Sequence, residues 1–258
     1  MKLALITGSS GHVGSNLIRK LSELDYKIRC IDFDGDHRAY EGFDVEVIKG
    51  DITNKESLYS IFEGVDVVFH TAALINLDRR FREAIETVNI EGTRNVCEVA
   101  LEKGINKLIH FSSVDAFYRF PIDEPLLEDR KLIEDQKGMP YDFSKAEGQR
   151  IVYEFCEKGL DASIIHPTSI VGPKDFKPGL PMQAFVDMAN GKRKLMPNWG
   201  YNFIDVLLVL AKLQVTCFHQ LNLHQMQSDQ VSILNHSPLL HTLQRHLQLV
   251  QDLSLIHI

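Results

Sequence analysis

The stretch Lys2–Gly14, KLALITGSSGHVG, constrains the fold of this chain more than any other. Residues 3–6 form an apolar run of strand length, and apolar residues recur at helical spacing from Val13 onward. Between the two lie three glycines with the spacing G-x-x-G-x-x-G: Gly8, Gly11 and Gly14. Such a turn lets a phosphate approach the free N–H groups at the helix start. The stretch therefore predicts a phosphate-binding turn, with a plain strand–helix turn as the alternative.

Strand and helix patterns alternate over the first 166 residues. Buried-strand patterns continue at Lys27–Asp32, Val45–Lys49, Val65–His70, Ile105–Phe111 and Ala162–His166. Helical patterns lie between them at Asn54–Phe62, Arg79–Lys103 and Tyr141–Lys158, the second with Ala84 and Val88 on its core side. This alternation predicts an α/β fold with a doubly wound, mostly parallel sheet. Ligands of such sheets bind beyond the carboxyl ends of the strands.

Two of the predicted strand ends carry residues suited to a dinucleotide. Asp32 ends the second strand, at a spacing from Gly14 expected of a carboxylate that binds an adenosine ribose. An acid there repels a 2′-phosphate and so favours NAD over NADP; the alternative is that Asp32 merely caps a loop. Ala72 and Ala73 follow the fourth strand, and such small residues let a flat ligand approach the strand end.

A candidate acid–base pair lies in the predicted helix after the fifth strand. Tyr141 and Lys145 stand four residues apart, which puts both side chains on one helix face. A nearby ammonium lowers the high pKa of a phenol, so that the tyrosine can exchange a proton with a carbonyl or alcohol. Ser113, at the end of the fifth strand, could hydrogen-bond the same substrate oxygen. The alternative is a surface tyrosine beside a solvated lysine.

Composition excludes several classes of function. The net charge of −7 gives no electrostatic support for binding nucleic acid or an anionic membrane. The four cysteines are scattered without a C-x-x-C pair, which predicts reduced thiols in the cytoplasm and no metal site. No apolar run reaches the length of a membrane span.

Nine short stretches together resemble one protein family. They are TGSSGHVG (7–14), CIDFD (30–34), GDIT (50–53), VFHTAA (68–73), VNIEGTRNV (88–96), HFSSVDAF (110–117), YDFSKAEGQ (141–149), HPTSIVGP (166–173) and NFIDV (202–206). In this order and spacing they resemble the extended short-chain dehydrogenase/reductases, the NAD(P)-dependent epimerase/dehydratase group. Within that group the chain is similar to the dihydroflavonol-reductase-like and 3β-hydroxysteroid-dehydrogenase-like branch. The resemblance covers residues 1–206 and implies a Rossmann-type NAD(P)-binding domain.

The resemblance also implies roles for individual residues. It places a cofactor against Gly8, Gly11, His12, Val13, Gly14, Asp32, Asp51, Ile52, Ala72, Ala73, Asn89, Lys145, Pro167 and Thr168. Tyr141 would be the acid–base, Lys145 would bind the nicotinamide ribose and lower the pKa of Tyr141, and Ser113 would orient the substrate oxygen. Ser112 is the alternative to Ser113, which is preferred because it stands four residues before Phe117. Asn89 would brace the sheet against the active-site helix.

By resemblance, the chain is an NAD(P)-dependent oxidoreductase that acts on a carbonyl or secondary alcohol, with ketone reduction as the expected direction. NAD is the expected cofactor, and NADP is the alternative. The alternative within the family is a nucleotide-sugar epimerase or dehydratase, disfavoured because Asp115 is shifted from the expected acidic pair. A non-catalytic NAD(P)-binding protein is the alternative of another class. The expected partners are a small-molecule substrate and a second copy, in a homodimer formed through the helices at Glu83–Lys103 and Tyr141–Lys158.

The C-terminal part departs from the family pattern. Residues 1–170 are expected to form the NAD(P)-binding and catalytic domain, and 171–206 the remnant of an incomplete substrate-binding region. Residues 206–258 contain no glycine and no glutamate, and only two basic residues, Lys212 and Arg245. This change of composition predicts that the reading frame shifts near residues 207–215 and that 207–258 is an out-of-frame tail. A genuine helical tail is the alternative.

Overall fold

The fold is given by a computed structural model, which describes residues 1–33, 36–121, 124, 126–192 and 202–213. Six parallel strands form the main sheet in the order β3-β2-β1-β4-β5-β6. They are β1 (Leu3–Thr7), β2 (Lys27–Asp32), β3 (Val45–Lys49), β4 (Val67–His70), β5 (Lys107–Phe111) and β6 (Ala162–Ile165). The order reverses beside β1, so the doubly wound sheet predicted from the sequence is confirmed.

Helices cover both faces of this sheet. The described helices are α1 (His12–Ser22), α2 (Lys55–Ile61), α3 (Arg82–Glu86), α4 (Gly92–Glu102), α5 (Pro140–Glu157), α6 (Leu180–Ala189) and α7 (Val206–Leu213). Leu5, Val68 and Leu108 share one buried cluster with side chains of α2, α4 and α5. Side chains alternate along a strand, so Ala4 and Ile6 point to the opposite face, where α1 and α7 contact each other. Among the described helices, none is long and apolar enough to cross a membrane.

A π-helical turn interrupts the long predicted helix at Thr87–Glu91, between α3 and α4. The prediction that Ala84 faces the core is wrong, because Ala84 is exposed and its neighbour Ile85 is fully buried. The buried residues Ile85, Asn89 and Val96 keep helical spacing across the π turn, and Ala84 lies one position off this face. The same turn directs Asn89 into the protein, where it is 4% exposed.

The segment after β6 forms elements of its own. β7 (Ser169–Val171) pairs in parallel with β8 (Phe203–Asp205) in a second small sheet. A side chain at Gly172 would meet Val206 Cγ1 at 2.7 Å, and its φ of 143° also favours glycine. The expected division between residues 170 and 171 falls inside β7 and stays a prediction. The predicted tail begins within α7, and its residues 214–258 lie outside the described part of the chain.

Candidate active site

The glycine turn, Gly8–Gly14, joins β1 to α1 at the carboxyl edge of the sheet. Gly8 has a φ of 68°, and a Cβ there would lie 2.6 Å from the Cα of Ala72. A Cβ on Gly14 would lie 2.7 Å from the Cα of Ser9, so the first helical turn packs directly on the loop. Gly11 N donates to Gly8 O at 3.0 Å and closes the turn. Larger residues would push these backbones apart, so glycine is needed at Gly8 and Gly14 for steric reasons as well as for backbone flexibility.

The start of α1 suits a pyrophosphate. The helix begins with the bond from Ser15 N to Gly11 O, at 2.8 Å. The N–H groups of His12, Val13 and Gly14 therefore have no partner within the helix. Together with the positive end of the helix dipole, they form the type of cradle that binds the phosphates of NAD. The His12 ring turns away toward Asp175, with Nδ1 at 4.0 Å from Oδ2.

The residues expected at the adenosine end lie on two adjacent strands. Asp32 ends β2 and is 6% exposed, and Ser10 Oγ donates to its Oδ1 at 3.2 Å. This contact ties the carboxylate to the glycine turn. Asp51 and Ile52 follow β3, the neighbour of β2. Asp51 Oδ1 accepts from Thr53 N at 2.9 Å, and Ile52 is buried against Gly92.

The remaining residues expected to line the cofactor follow β4 and β6. Ala72 N donates to Thr7 Oγ1 at 3.3 Å, which holds the chain after β4 against the glycine turn. Ala73 is half-buried beside it. Pro167 and Thr168 are half-buried after β6, and Pro167 O accepts from Val114 N at 3.2 Å. The residues present therefore fit a dinucleotide laid across the strand ends.

Ser113, Tyr141 and Lys145, here called the Ser–Tyr–Lys cluster, meet where β5 ends against α5. Lys145 Nζ lies 5.9 Å from the centre of the Tyr141 ring and donates to Phe111 O at 2.8 Å. The Ser113 hydroxyl is near enough to the phenol of Tyr141 to act on its pKa, which it lowers. Ser112 instead donates to Gln149 Oε1 at 2.9 Å, away from the tyrosine. The geometry therefore favours Ser113 over Ser112 as the partner of Tyr141.

The expected lowering of the Tyr141 pKa is not found. Burial raises the pKa of Tyr141, the Asp115 carboxylate raises it further, and the Ser113 hydroxyl only partly opposes them. The Lys145 ammonium donates to the Phe111 carbonyl and is not among the groups that shift the pKa of Tyr141. Burial also lowers the pKa of Lys145 to about 8. The tyrosine is thus held in its protonated form.

An ion cluster beside Ser113 and Tyr141 was not predicted from the sequence. Arg119 donates to Asp115 Oδ1 at 2.7 Å and to Asp142 Oδ2 at 3.4 Å, and we call the three residues the Asp–Arg–Asp cluster. Asp115 Oδ2 lies 3.3 Å from Ser113 Oγ. The pKa of Asp142 is raised to about 6 by burial and then by Asp115, while Arg119 lowers it. The one hint in the sequence is that Asp142 directly follows Tyr141, so its carboxylate had to lie near the tyrosine.

Asn89 makes the contacts expected of a bracing residue. Its Oδ1 accepts from Leu74 N at 2.7 Å, and its Nδ2 donates to Leu74 O at 3.1 Å. Nδ2 also donates to Ser144 Oγ at 2.9 Å, and Ser144 Oγ donates to Tyr141 O at 2.8 Å. Asn89 therefore joins the loop after β4 to the first turn of α5.

Comparison with known proteins agrees with this geometry. Residues 4–206 match the NAD dependent epimerase/dehydratase family. The chain belongs to this family. The match spans every strand of the main sheet and the Ser–Tyr–Lys cluster, so the predicted family resemblance is confirmed.

Individual members of the NAD dependent epimerase/dehydratase family differ in what their names describe. The chain is 32% identical over 208 residues to sterol demethylase protein B of Methylococcus capsulatus, covering 80% of this chain and 63% of that protein. It is 28% identical over 219 residues to the mouse sterol-4-alpha-carboxylate 3-dehydrogenase, decarboxylating, covering 81% and 56%. It is 28% identical over 219 residues to a protein of Synechocystis named "Putative dihydroflavonol 4-reductase", covering 80% of this chain and 60% of that protein. The chain thus spans less than two thirds of the length of these two sterol-named relatives.

Among solved structures, the enzyme WbmH of Bordetella bronchiseptica, crystallised with NAD+, has the same fold. Its TM-score is 0.72 at 23% identity, over 83% of this chain and 71% of that one. NAD is the cofactor named for the family as a whole. The Rossmann-type fold predicted from the sequence is confirmed.

Proposed function

We propose that this protein is an NAD-dependent oxidoreductase that moves a hydride between nicotinamide and a substrate carbonyl or secondary alcohol. The observation that carries the proposal is the Ser–Tyr–Lys cluster, buried at the same sheet edge as the glycine turn. A phenol beside a serine hydroxyl can give a proton to a carbonyl oxygen or take one from an alcohol. Family membership supports the same chemistry, and bound NADH would supply the hydride in the reductive direction.

Each member of the cluster has a distinct part in ketone reduction. Ser113 Oγ would hydrogen-bond the carbonyl oxygen and fix its direction. Tyr141 would transfer its phenolic proton to that oxygen as the neighbouring carbon gains the hydride, which leaves an alcohol and a tyrosinate. Lys145, as an ammonium, would stabilise the tyrosinate until solvent returns the proton.

Ketone reduction is the direction we propose, because it starts from Tyr141 in its protonated form. The carboxylates of Asp115 and Asp142 both raise the pKa of Tyr141, after the larger effect of burial. The phenol carries the proton that the carbonyl oxygen needs, but a raised pKa makes it a weaker acid than a free tyrosine. The protonated form supports a ketone reductase of the dihydroflavonol-reductase-like kind.

NAD is the proposed cofactor, with NADP as the weaker one. The buried Asp32 carboxylate would accept hydrogen bonds from the ribose hydroxyls and repel a 2′-phosphate. Arg38 is the nearby cation that could offset this repulsion. Its guanidinium is held by Asp36, with Nη2 at 2.6 Å from Oδ2, and donates to Phe176 O at 3.1 Å.

A nucleotide-sugar epimerase or dehydratase is the second candidate. Its support is the Asp–Arg–Asp cluster, because Asp115 lies beside Ser113 in space despite its shift in sequence. An epimerase or dehydratase returns the hydride to its substrate, so free NADH is not consumed. A binding protein without turnover is the third candidate, and the Ser–Tyr–Lys cluster argues against it, because binding alone would not need these three residues.

The proposal includes three further points. The substrate is a small molecule, and segment 171–206 forms part of its binding region. Two copies of the chain form a homodimer through the helices around α4 and α5.

The test is a titration of NAD(H) and NADP(H) into the purified protein, followed by a screen of ketones for NADH oxidation. We expect NAD(H) to bind at least about tenfold tighter than NADP(H), and Gly11→Val to abolish the binding of both. NADH oxidation that depends on a ketone supports the reductase. Tight NAD binding with conversion of a nucleotide sugar and no net NADH oxidation supports the second candidate. Absence of binding would overturn the proposal.

A further inference from the structure

Two fully buried histidines lie side by side beneath the candidate active site. His70 ends β4, and His110 is its partner residue in β5. Their rings are 5.2 Å apart, and the residues are 1% and 3% exposed. Neither has a part in the proposed hydride transfer. They differ in one respect, which is how their ring nitrogens are bonded.

Both ring nitrogens of His70 are hydrogen-bonded, whereas those of His110 have no partner among the described residues. His70 Nδ1 lies 2.8 Å from Thr7 Oγ1, and His70 Nε2 lies 3.0 Å from Thr93 Oγ1. Thr7 and Thr93 are themselves almost fully buried. The imidazole of His70 therefore bridges the end of β1 to the start of α4.

The direction of each bond in this bridge follows from its neighbours. Thr93 Oγ1 donates its hydrogen to Asn89 O at 2.7 Å, so it can only accept from His70, and Nε2 must carry a hydrogen. Burial and the Lys145 ammonium keep His70 neutral by lowering its pKa to about 3. Its Nδ1 is then a bare acceptor for the Thr7 hydroxyl. Thr7 Oγ1 in turn accepts from Ala72 N at 3.3 Å.

The bridge connects the two halves of the candidate site. At one end, Ala72 lies against Gly8 in the glycine turn. At the other end, Asn89 donates to Ser144 Oγ, which donates to Tyr141 O. Two sets of hydrogen bonds, joined through the residue Asn89, thus link the residues expected to line the cofactor to the helix turn that carries Tyr141.

We propose that His70, as the neutral Nε2–H tautomer, is a positioning residue that sets the spacing between the glycine turn and the Ser–Tyr–Lys cluster. It touches neither substrate nor cofactor. It acts by holding Ala72 through Thr7 and Asn89 through Thr93. This inference rests on the proposed function for its catalytic meaning, but the state of His70 can be measured in the protein alone.

The first experiment is a long-range 15N–1H NMR spectrum of the histidine rings in the full chain, recorded from pH 5 to pH 8. We expect one buried histidine with a protonated Nε2 and an accepting Nδ1, unchanged over this range, that disappears in His70→Leu. Thr93→Val removes the hydroxyl but keeps the shape, and should alter the Nε2 resonance. A Nδ1–H tautomer, or titration of His70 near its ordinary pKa of about 6.5, would overturn the proposal.

The second experiment compares His70→Leu with the matched control His110→Leu by calorimetric titration of NAD and by NADH oxidation with a ketone from the screen. We expect His70→Leu to weaken NAD binding about tenfold and lower kcat about tenfold with little change in the KM for the ketone. His110→Leu should retain wild-type values. His70→Gln, which keeps one donor and one acceptor, should recover part of the loss.

The outcomes separate this inference from the proposed function. If the wild type binds NAD and the two leucine variants bind it equally well, the role of His70 is wrong and the proposed function stands. If the wild type binds no NAD, the proposed function fails, and the NMR tautomer alone decides whether the bridge exists. If His70→Leu does not fold, Thr93→Val takes its place in the same titration, with the same expected loss.

Discussion

The glycine turn and the Ser–Tyr–Lys cluster lie at one edge of the same sheet but are built from different parts of the chain. The glycine turn is made of backbone: its closure is a bond between main-chain atoms of Gly11 and Gly8, and its shape is fixed by missing side chains. The cluster is made of side chains from α5 and from the segment after β5, held by burial, hydrogen bonds and neighbouring ion pairs. Added side-chain volume should therefore disrupt the glycine turn, whereas the loss of a single polar atom should disrupt the Ser–Tyr–Lys cluster.

The largest expected effect is on the glycine turn. Gly8→Ala should lower the free energy of unfolding by about 2–6 kcal/mol and abolish NAD binding, because it combines a left-handed φ with a clash against Ala72. Chemical denaturation and NAD titration measure the two effects. Gly104→Ala is the matched control, because Gly104 has a φ of 66° and a Cβ added there would meet no atom within 4 Å. It should cost only about 1–2 kcal/mol. Equal costs would show that the close packing contributes nothing.

The difference between the two regions also explains what the sequence could predict. The glycine turn is formed by residues close together in sequence, so the spacing of its glycines and the apolar residues on either side are enough to predict it. The parallel sheet could be predicted from alternation, because parallel strands need long crossovers that usually contain a helix. The crossover from β2 to β3 is an exception, since its described residues form only a short 3-10 turn at His37–Ala39. The Ser–Tyr–Lys residues were found by motif, but the raised pKa of Tyr141 was not. That shift depends on the burial of the ring and on Asp115, which only the folded chain reveals.

The same reasoning accounts for the residues that were missed. His70 and His110 look like ordinary members of buried strands, and only the pairing of β4 with β5 brings them together. Ala84 was placed on the core side because it stands four residues before Val88, but the buried face of the folded helix runs through its neighbour Ile85. Arg119 lies in a loop, and its link to Asp115 and Asp142 is a contact between separate segments.

The second expected effect is confined to the cluster. Tyr141→Phe should lower kcat for ketone reduction by about 10²–10⁴-fold, because the general acid is lost while the ring volume stays. NAD affinity should stay within about twofold, since the glycine turn is untouched. Steady-state kinetics and calorimetry test this, with Tyr153→Phe on the same helix as the control. A Tyr141→Phe variant with the kcat of the wild type would remove the tyrosine from the mechanism.

The third effect separates two adjacent serines. Ser113→Ala should lower kcat by about 10- to 100-fold, because the carbonyl oxygen loses a donor and Tyr141 loses its partner. Ser112→Ala should leave kcat near that of the wild type and lower the free energy of unfolding by about 1 kcal/mol, because only its bond to Gln149 is lost. The reverse pattern in kinetics and denaturation would assign the role to Ser112.

The last effect concerns stability in acid, and it rests on the two buried histidines beneath the candidate active site, His70 and His110. Burial lowers the pKa of His70 from its usual 6.5 to about 3, and burial with the His70 and Lys145 charges lowers that of His110. The unfolded chain binds these protons below about pH 6.5 and the native chain does not, so stability should fall as the pH drops from 6.5 toward 3.

His110→Leu isolates this contribution, because His110 has no hydrogen bonds to lose within the described residues. We expect it to raise the free energy of unfolding by about 1–3 kcal/mol at pH 7 and to reduce the loss in acid by up to about 1.4 kcal/mol per pH unit. His70→Leu should reduce the acid loss as well, but destabilise the protein at pH 7, because Thr7 and Thr93 lose their partner. Denaturation at pH 5 and pH 7 measures both variants. If His110→Leu destabilised the protein at pH 7 as much as His70→Leu does, the hydrogen bonds of His70 would not distinguish it from His110. Burial of the ring alone would then account for the stability that each histidine contributes.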